Sequence, residues 1–245
     1  LRDPSDDSPE LRPLPDSDRF ERLATTIADE RFAPALREMQ ANREPVGEAG
    51  PLSAFRVLCA HRIGAFGAER FNRLVERRLR TLGLVPANEA FYPGRPILVT
   101  RNDPRTGLSN GDTGFVVRDA NHRIRVRFPE LRDAEAQPRL VTPSRLPPHE
   151  SFFAVTVHRA QGSEYDEVAV ALGPAESRIA TRELLYTAVT RARRRVVVYG
   201  SVESVAAAVE RATERSSGLR EALRVGRGPV RAGTREARLD GSEPQ

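Results

Sequence analysis

Two apolar runs near residue 160 are separated by a short polar turn. The first run, Phe152 to Val157, is rich in aromatic and β-branched side chains, and the second run, Val168 to Leu172, is equally apolar. Runs of this length and composition predict two buried strands. The polar residues between them are His158, Arg159, Gln161, Gly162, Ser163 and Glu164. Ligands bind at such strand ends in open α/β sheets, so the pattern indicates a functional turn.

A second stretch predicts a helix that leads directly into a strand. Thr181 is placed to cap the helix, and Glu183 favours its first turn. The apolar residues that recur at helical spacing are Leu184, Leu185, Ala188, Val189 and Ala192. The opposite face carries Thr187, Thr190, Arg191 and Arg194. Because the strand Val196 to Tyr199 follows at once, we expect Arg191 at the helix C-terminus near the sheet edge, where its guanidinium can meet a phosphate.

These two segments resemble motifs V and VI of superfamily 1 helicases. The resemblance is closest to the RecD-like family, which includes the alpha subunit of exodeoxyribonuclease V. The residues that carry it are TVHRAQGSE, Thr156 to Glu164, and RELLYTAVTRARRR, Arg182 to Arg195. Two long motifs in this order and at this spacing are a specific signal, and a weaker resemblance extends from about Phe55 to Gly200.

The resemblance implies a nucleotide-binding role for four residues. Arg191 matches the catalytic arginine finger, whose planar and always charged fork stabilises the γ-phosphate in the transition state. Gly162 and Glu164 match the pair that approaches ATP, with the glycine amide near the phosphates and the carboxylate on the ribose hydroxyls. Gly162 has no Cβ, so its backbone can come close to a ligand. Gln161 is placed to relay between nucleotide and DNA.

The resemblance also implies DNA-binding residues. Thr156 and His158 match positions that touch the single-strand backbone, for which a hydroxyl and an imidazole are suitable donors. For His158 the alternative is an ordinary surface histidine. We expect Tyr165 and Tyr186 to be packing residues rather than platforms for base stacking.

Composition limits what the chain can do by itself. The net charge of +5 and the pI near 10.2 favour a polyanionic partner, with an ordinary basic surface as the alternative. All 39 basic residues are arginine, and a P-loop, G-x-x-x-x-G-K-[ST], requires lysine. We therefore expect ATP and Mg²⁺ to be bound mainly by a missing N-terminal RecA-like domain. The start at Leu1, which is not methionine, agrees with a fragment of a longer protein.

Cysteine usage and hydropathy exclude several other classes. The single cysteine, Cys59, lies in an apolar run and is expected in the core, so no disulfide framework or metal site is predicted. No apolar run approaches the ~20 residues of a membrane span, and no signal peptide opens the chain. We expect a cytoplasmic protein without a membrane partner.

The first 92 residues predict a linker and then the first part of an α/β domain. Residues 1–18 are rich in aspartate, proline and serine, which predicts a disordered linker. Residues 19–42 predict an amphipathic helix with a break near Pro34. The basis is the helical spacing of the apolar residues Phe20, Leu23, Ile27, Phe32, Leu36 and Met39. A strand over 54–60 leads through a glycine turn to a helix over 68–82. In that turn Arg62 is either a phosphate or DNA contact or a solvent-facing arginine.

Residues 93–150 predict a small antiparallel barrel inserted in the α/β domain. The β-rich runs Pro96 to Thr100, Thr113 to Arg118 and Arg123 to Phe128 are divided by turns such as Asn110-Gly111. In the last run the period of two places Ile124, Val126 and Phe128 on a core face and Arg123, Arg125 and Arg127 on the other. This arginine face is expected either to touch DNA or to keep a sheet edge soluble. The segment GRPILVTRNDPRTGLSNGDTG resembles the SH3-like insertion of RecD-type helicases.

The remaining residues predict the second part of the domain and a tail. Residues 151–215 contain both motifs and an alanine-rich helix from Val202 to Thr213, and residues 216–245 predict a disordered tail. The predicted fold class is thus α/β: a second RecA-like motor domain with a parallel sheet, interrupted by an SH3-like barrel.

The resemblance implies the C-terminal motor half of an ATP-dependent DNA helicase that moves 5′ to 3′ on single-stranded DNA in recombination and repair. Its expected partners are single-stranded DNA and the missing N-terminal domain, with the nuclease and second helicase subunits of a RecBCD-type complex as further candidates. Two alternatives stay open. One is the helicase part of a conjugative relaxase, and the other is a nucleic-acid-binding module without a motor.

Overall fold

The computed structural model describes residues 9–13, 17–41, 51–129 and 139–212. One of its two five-stranded sheets is parallel, with the strand order β1, β10, β9, β2, β8. The strands are β1 (Glu10–Arg12), β2 (Phe55–Cys59), β8 (Ala154–Thr156), β9 (Tyr165–Ala171) and β10 (Ala192–Tyr199). A parallel sheet confirms the α/β class and the two buried strands on either side of the polar turn. No helix in the described ranges is long and apolar enough to cross a membrane.

Helices cover both faces of this sheet, as parallel strands require. The helices are α1 (Ser17–Ile27), α2 (Ala33–Ala41), α3 (Pro51–Ala54), α4 (Ala68–Thr81), α5 (Arg182–Val189) and α6 (Val202–Glu210). One core holds apolar side chains of α1, α2 and α4 against Val57, Ala169 and Ala171 of the sheet. The other holds α5 against Val170 and Val198. Cys59 is buried as expected, and burial raises the pKa of its thiol to about 12.

The predicted break near Pro34 is a π-helical turn. α1 and α2 are joined without a gap by five π-helical residues, Ala28–Phe32. Proline has no backbone N–H and cannot donate to the carbonyl four residues earlier, so the wider turn fits a helix that must absorb it. The apolar stripe continues through this turn, because Phe32 and Leu36 are both fully buried.

The second sheet is antiparallel and lies in the chain between α4 and β8. Its strand order is β6, β5, β4, β3, β7. The strands are β3 (Pro96–Val99), β4 (Thr113–Arg118), β5 (Ile124–Phe128), β6 (Arg139–Val141) and β7 (His149–Ser151). Val126 and Phe128 are buried in a small core of its own, as the period of two predicts.

Two predictions about local structure are wrong. Glu10–Arg12, inside the predicted linker 1–18, pairs with β10 as an edge strand. The helix of the second motif ends at Val189 with Thr190 as its C-cap, and the strand begins at Ala192. Arg194 therefore lies in β10 and not on the polar face of the helix. The cause is that the Arg191 carbonyl accepts a hydrogen bond from the Tyr165 N–H at 2.8 Å, which draws the chain into the sheet. The predicted tail, 216–245, lies outside the described residues.

Candidate functional site

The polar turn of the first motif runs from the carboxyl ends of the parallel strands, where β8 finishes, to their amino ends, where β9 begins. In register, Thr156 at the end of β8 pairs with Cys59, which also pairs with Ala171 at the end of β9. Tyr165, where β9 begins, pairs instead with Ala192 at the start of β10. The seven residues of β9 separate these levels by about 20 Å at 3.3 Å per residue. Residues 157–164 are therefore a crossover, with Val157 and Ala160 buried against the sheet.

The crossover divides the predicted site residues between two places. We call the end of the sheet where β9 and β10 start the amino edge. Arg191 lies there beside Ser163, and Gly162 and Glu164 are the chain neighbours of that serine. We call the ends of β8 and β2 the carboxyl edge; Thr156, His158 and Arg62 lie there. Gln161 is exposed in the crossover between them. The predicted nucleotide-binding and DNA-binding residues thus fall into separate groups, and the nucleotide group lies at the end of the sheet opposite to the usual ligand edge.

Arg191 is half-buried at the amino edge and is held only by neutral acceptors. Its Nε donates to the Thr187 carbonyl at 3.2 Å, its Nη1 to the Ser163 carbonyl at 3.3 Å and its Nη2 to Thr190 Oγ1 at 3.4 Å. Among the described residues no carboxylate pairs with it. A guanidinium that is oriented but not neutralised can accept an incoming anion without first giving up an ion pair.

Glu164 and Gly162 flank this arginine from the crossover. Glu164 Oε2 accepts from Arg193 Nε at 3.1 Å, and both side chains are exposed. The pairing of Arg193 with Glu164 was missed by sequence reasoning. Gly162 has a φ of +87°, and a Cβ there would meet no atom within 4 Å. The glycine is therefore required by its backbone conformation, and the space beside it is open to a ligand.

The carboxyl edge carries paired charges instead. Arg62 Nε lies 2.9 Å from Glu69 Oε1, and its Nη2 lies 3.9 Å from Glu150 Oε2. Glu150 also accepts a hydrogen bond from Arg159 in the crossover. Both alternatives for Arg62, a phosphate or DNA contact or a solvent-facing arginine, therefore stay predictions, and the structure adds these two glutamate partners. His158 is exposed and Thr156 is half-buried beside the cluster.

Two buried polar side chains that sequence reasoning missed hold the strands behind these edges. Asn72 on α4 donates to the Ala154 carbonyl at 3.0 Å and accepts from the Ala154 N–H at 2.7 Å. This pairing completes the open side of the edge strand β8. The signal was present, because Asn72 falls between Ala68 and Val75 on the apolar stripe of α4.

Arg56 on β2 is fully buried beneath the crossover. It donates to the carbonyls of Phe152 and Leu52, and its guanidinium lies over the rings of Phe152 and Tyr165, 4.0 and 5.3 Å from their centroids. Burial lowers the pKa of this guanidinium. Arg56 thus joins the start of β8 to Tyr165, whose N–H bonds the Arg191 carbonyl. Tyr165 is a packing residue as expected, whereas Tyr186 is 68% exposed, so that expectation is wrong.

The arginine face of the antiparallel sheet is partly neutralised. Arg125 Nε lies 3.3 Å from Asp119 Oδ2, and Arg125 Nη1 donates to Thr142 Oγ1. Hydrogen bonds from backbone N–H groups, that of Arg123 first, hold the pKa of Asp119 below its usual range. In the described part of the chain no group of three or more His, Cys, Asp or Glu side chains could hold a metal ion.

Comparison with known proteins gives the following similarities. The model of the UvrD-like helicase C-terminal domain matches residues 151–199, which include both motifs. The chain is 45% identical over 173 residues to the RecBCD enzyme subunit RecD of Mycolicibacterium smegmatis, covering 71% of this chain and 30% of that protein. It is 33% identical over 186 residues to the ATP-dependent RecD2 DNA helicase of Deinococcus radiodurans, covering 73% and 25%.

A solved structure is similar in the same region. The crystal structure of Pif1 helicase from Candida albicans matches with a TM-score of 0.44 and 15% identity, covering 85% of this chain and 58% of that one. The chain spans less than a third of the length of the two curated relatives above.

Proposed function

Because this chain belongs to the RecD-like family of helicases, as part of their C-terminal region, we propose that it is the C-terminal motor half of an ATP-dependent DNA helicase. In this proposal the parallel sheet is the second RecA-like domain, and the antiparallel sheet is its SH3-like barrel. The longer protein moves 5′ to 3′ on single-stranded DNA and acts in recombination and repair.

One observation carries the proposal: Arg191 is oriented by neutral acceptors and has no carboxylate partner among the described residues. Arg191 then stabilises the negative charge that develops on the γ-phosphoryl group of ATP, and an arginine in this position contributes on the order of 10³ to 10⁵ in rate. Its backbone-bound position means that little reorganisation accompanies the reaction.

The other amino-edge residues fit a nucleotide beside this arginine. Gly162 offers a backbone N–H with open space where a Cβ would lie. Glu164 would accept from the ribose hydroxyls, and it must then leave Arg193; both side chains are exposed, so this pair costs little to open. ATP supplies the free energy of its hydrolysis when bound. The P-loop lysine and the ligands of Mg²⁺ would come from an N-terminal motor domain, since this chain has no lysine.

The carboxyl edge would follow the DNA backbone. His158 is exposed there and Thr156 lies at the end of β8, so both are accessible to a strand that runs across this edge. The name of the Mycolicibacterium relative includes RecBCD, and we include nuclease and second helicase subunits among the candidate partners of the longer protein.

The direct test compares the chain with the longer protein that contains it. Phosphate release by the purified chain with single-stranded DNA should stay below ~1 s⁻¹, the low end of ordinary enzymes. The longer protein should hydrolyse ATP in a DNA-dependent manner and unwind a duplex with a 5′ single-stranded tail. Turnover by the chain alone would contradict the division into two motor halves. A longer protein without DNA-dependent turnover would leave a binding module without a motor as the function.

A further inference from the structure

Four charged side chains at the carboxyl edge bring together three parts of the fold. Arg62 lies in the loop after β2, Arg159 in the crossover, and Glu150 on β7 of the antiparallel sheet. One oxygen of Glu150 accepts a hydrogen bond from Arg159, and its other oxygen lies 3.9 Å from Arg62 Nη2. Glu69 at the start of α4 pairs with Arg62 from the other side. The formal charges of these four groups sum to zero.

We propose that Arg62 and Arg159 form a phosphate site for a nucleic-acid backbone, and that Glu150 is a built-in competitor that occupies this site when no strand is bound. The inference rests on the proposed function, since it assumes a strand at the carboxyl edge. Two guanidinium groups on the two oxygens of one carboxylate mark a position that stabilises an oxyanion. A phosphodiester presents oxygens of the same kind to arginine forks.

The exchange is accessible and inexpensive. The side chains of Arg159 and Glu150 are 29% and 28% exposed, and that of Arg62 is 54% exposed. Ion pairs that solvent reaches contribute little net stability, so displacement of the carboxylate costs little, whereas each new phosphate contact releases counterions. Glu150 therefore lowers the affinity for a strand without closing the site. Because Glu150 belongs to β7, the same exchange would also release a link between the two sheets.

The test uses the 245-residue chain and a labelled oligothymidylate, with binding measured by fluorescence anisotropy across a series of NaCl concentrations. Glu150→Gln should raise the affinity roughly three- to tenfold at low salt and leave the log–log salt dependence nearly unchanged, because the strand contacts the same phosphates once the carboxylate is displaced. Arg159→Gln as a single change should reduce the log–log salt slope by about 0.7 relative to the unmodified chain. In the double variant the gain from Glu150→Gln should be lost.

Asp29→Asn is the matched control. Asp29 pairs with Arg78 at 2.7 Å, and Arg78 lies nine residues along α4 from Glu69, so this change also removes one negative charge and one ion pair, but away from the carboxyl edge. Equal gains in Asp29→Asn and Glu150→Gln would show a general effect of net charge and overturn the proposal. Weaker binding by Glu150→Gln, at an unchanged melting temperature, would overturn it too, because Glu150 would then position the arginines. If Glu150→Gln lowers the melting temperature, the Arg159→Gln variant decides instead. A log–log salt slope of Arg159→Gln that equals the slope of the unmodified chain then overturns the proposal.

Inorganic phosphate at matched ionic strength distinguishes the source of the anion. It should compete with the oligonucleotide no better than chloride, and strong competition would assign the site to free phosphate and overturn the proposal. Absence of binding by both the chain and Glu150→Gln would also overturn it. The ATP hydrolysis that tests the proposed function does not depend on any of these measurements.

Discussion

The two edges of the parallel sheet present arginine in different states. At the amino edge Arg191 is held by two carbonyls and a hydroxyl and has no carboxylate partner among the described residues. At the carboxyl edge Arg62 and Arg159 are each paired with glutamate. A preoriented, unpaired guanidinium suits charge that appears only in a transition state, since nothing must be displaced at that moment. Paired arginines suit a partner that binds and leaves repeatedly, since the carboxylate takes the place of the departing phosphate.

The crossover explains how one short motif can serve both edges. It leaves β8 at the carboxyl level, next to His158 and Arg159, and enters β9 at the amino level, next to Ser163 and Glu164. Only eight residues separate the strands, and Val157 and Ala160 anchor this segment in the core, so a displacement at one end would be passed to the other. Under the proposed function this is the physical route by which a strand at one edge influences a nucleotide at the other.

The largest expected effect is at the amino edge. In the longer protein Arg191→Ala should lower ATP turnover by at least ~10³, because the transition-state charge loses its stabilising fork. Folding and DNA binding should stay nearly intact, because Arg191 is held by hydrogen bonds at the surface and not by the core. Steady-state kcat and the melting temperature, measured on the same preparations, check both parts.

Two further variants sharpen the Arg191 result. Arg191→Lys should recover little, since a point charge cannot reproduce the bidentate contact. Arg194→Ala removes a neighbouring exposed arginine of β10 that has no partner among the described residues, and it should cost far less. A large fall in melting temperature with a small catalytic loss in Arg191→Ala would instead make this arginine structural.

The second effect is on stability and concerns β8, the strand that ends at the carboxyl edge. Asn72→Ala leaves the N–H and carbonyl of Ala154 buried without partners, at a cost of about 1 to 3 kcal/mol each. We expect Asn72→Ala to unfold at lower urea concentration with an unchanged m-value. Asn72→Asp should also destabilise, because a carboxylate still accepts from the N–H of Ala154 but repels its carbonyl. Equal stability of Asn72→Ala and the unmodified chain would mean that the backbone groups of β8 do not need hydrogen bonds from Asn72.

Sequence patterns identify the local elements well because each is defined by near neighbours. The apolar runs predicted β8 and β9, and the stripe from Phe20 to Met39 predicted the long helix and its irregularity near Pro34. The edge strand Glu10–Arg12 was missed because its stability comes from pairing with β10, more than 180 residues away. The composition of residues 1–18 contains no trace of that pairing.

The members of the candidate site come from the motif resemblance, and their arrangement comes from the structure alone. Motif resemblance named Gly162, Glu164 and Arg191, and the structure brings all three to one edge. The separation of His158 from Glu164 depends on the register of β8 and β9 across β2, which a one-dimensional pattern cannot express. The same holds for ion pairs between distant segments, such as Arg159 with Glu150 of the antiparallel sheet.

The third effect is a smaller loss of DNA affinity that should leave the amino edge unchanged. His158→Asn should weaken binding of an oligothymidylate to the chain roughly tenfold, the equivalent of one hydrogen bond to a charged group, about 1.5 kcal/mol. His122→Asn is the control: His122 is exposed on the antiparallel sheet with a φ of +58°, a conformation that asparagine tolerates. Equal losses in both variants would place the strand elsewhere, and no loss in either would make His158 an ordinary surface residue.

The smallest effect concerns Gly162, in the crossover between the two edges. Its φ of +87° is unfavourable for any side chain, although the space beside it is empty, so Gly162→Ala should destabilise the chain by about 1 kcal/mol through strain alone. Gly83 follows the C-terminus of α4 and has a φ of +70° with equally open space. The variant Gly83→Ala is therefore the matched control with the same expected strain. The two should therefore unfold alike in urea.

In the longer protein only Gly162→Ala should raise the KM for ATP, because only this backbone lies beside Arg191. Equal KM values would confine the role of Gly162 to the turn itself and remove it from the nucleotide group, whereas a weakened affinity for DNA with an unchanged KM would move it to the carboxyl edge.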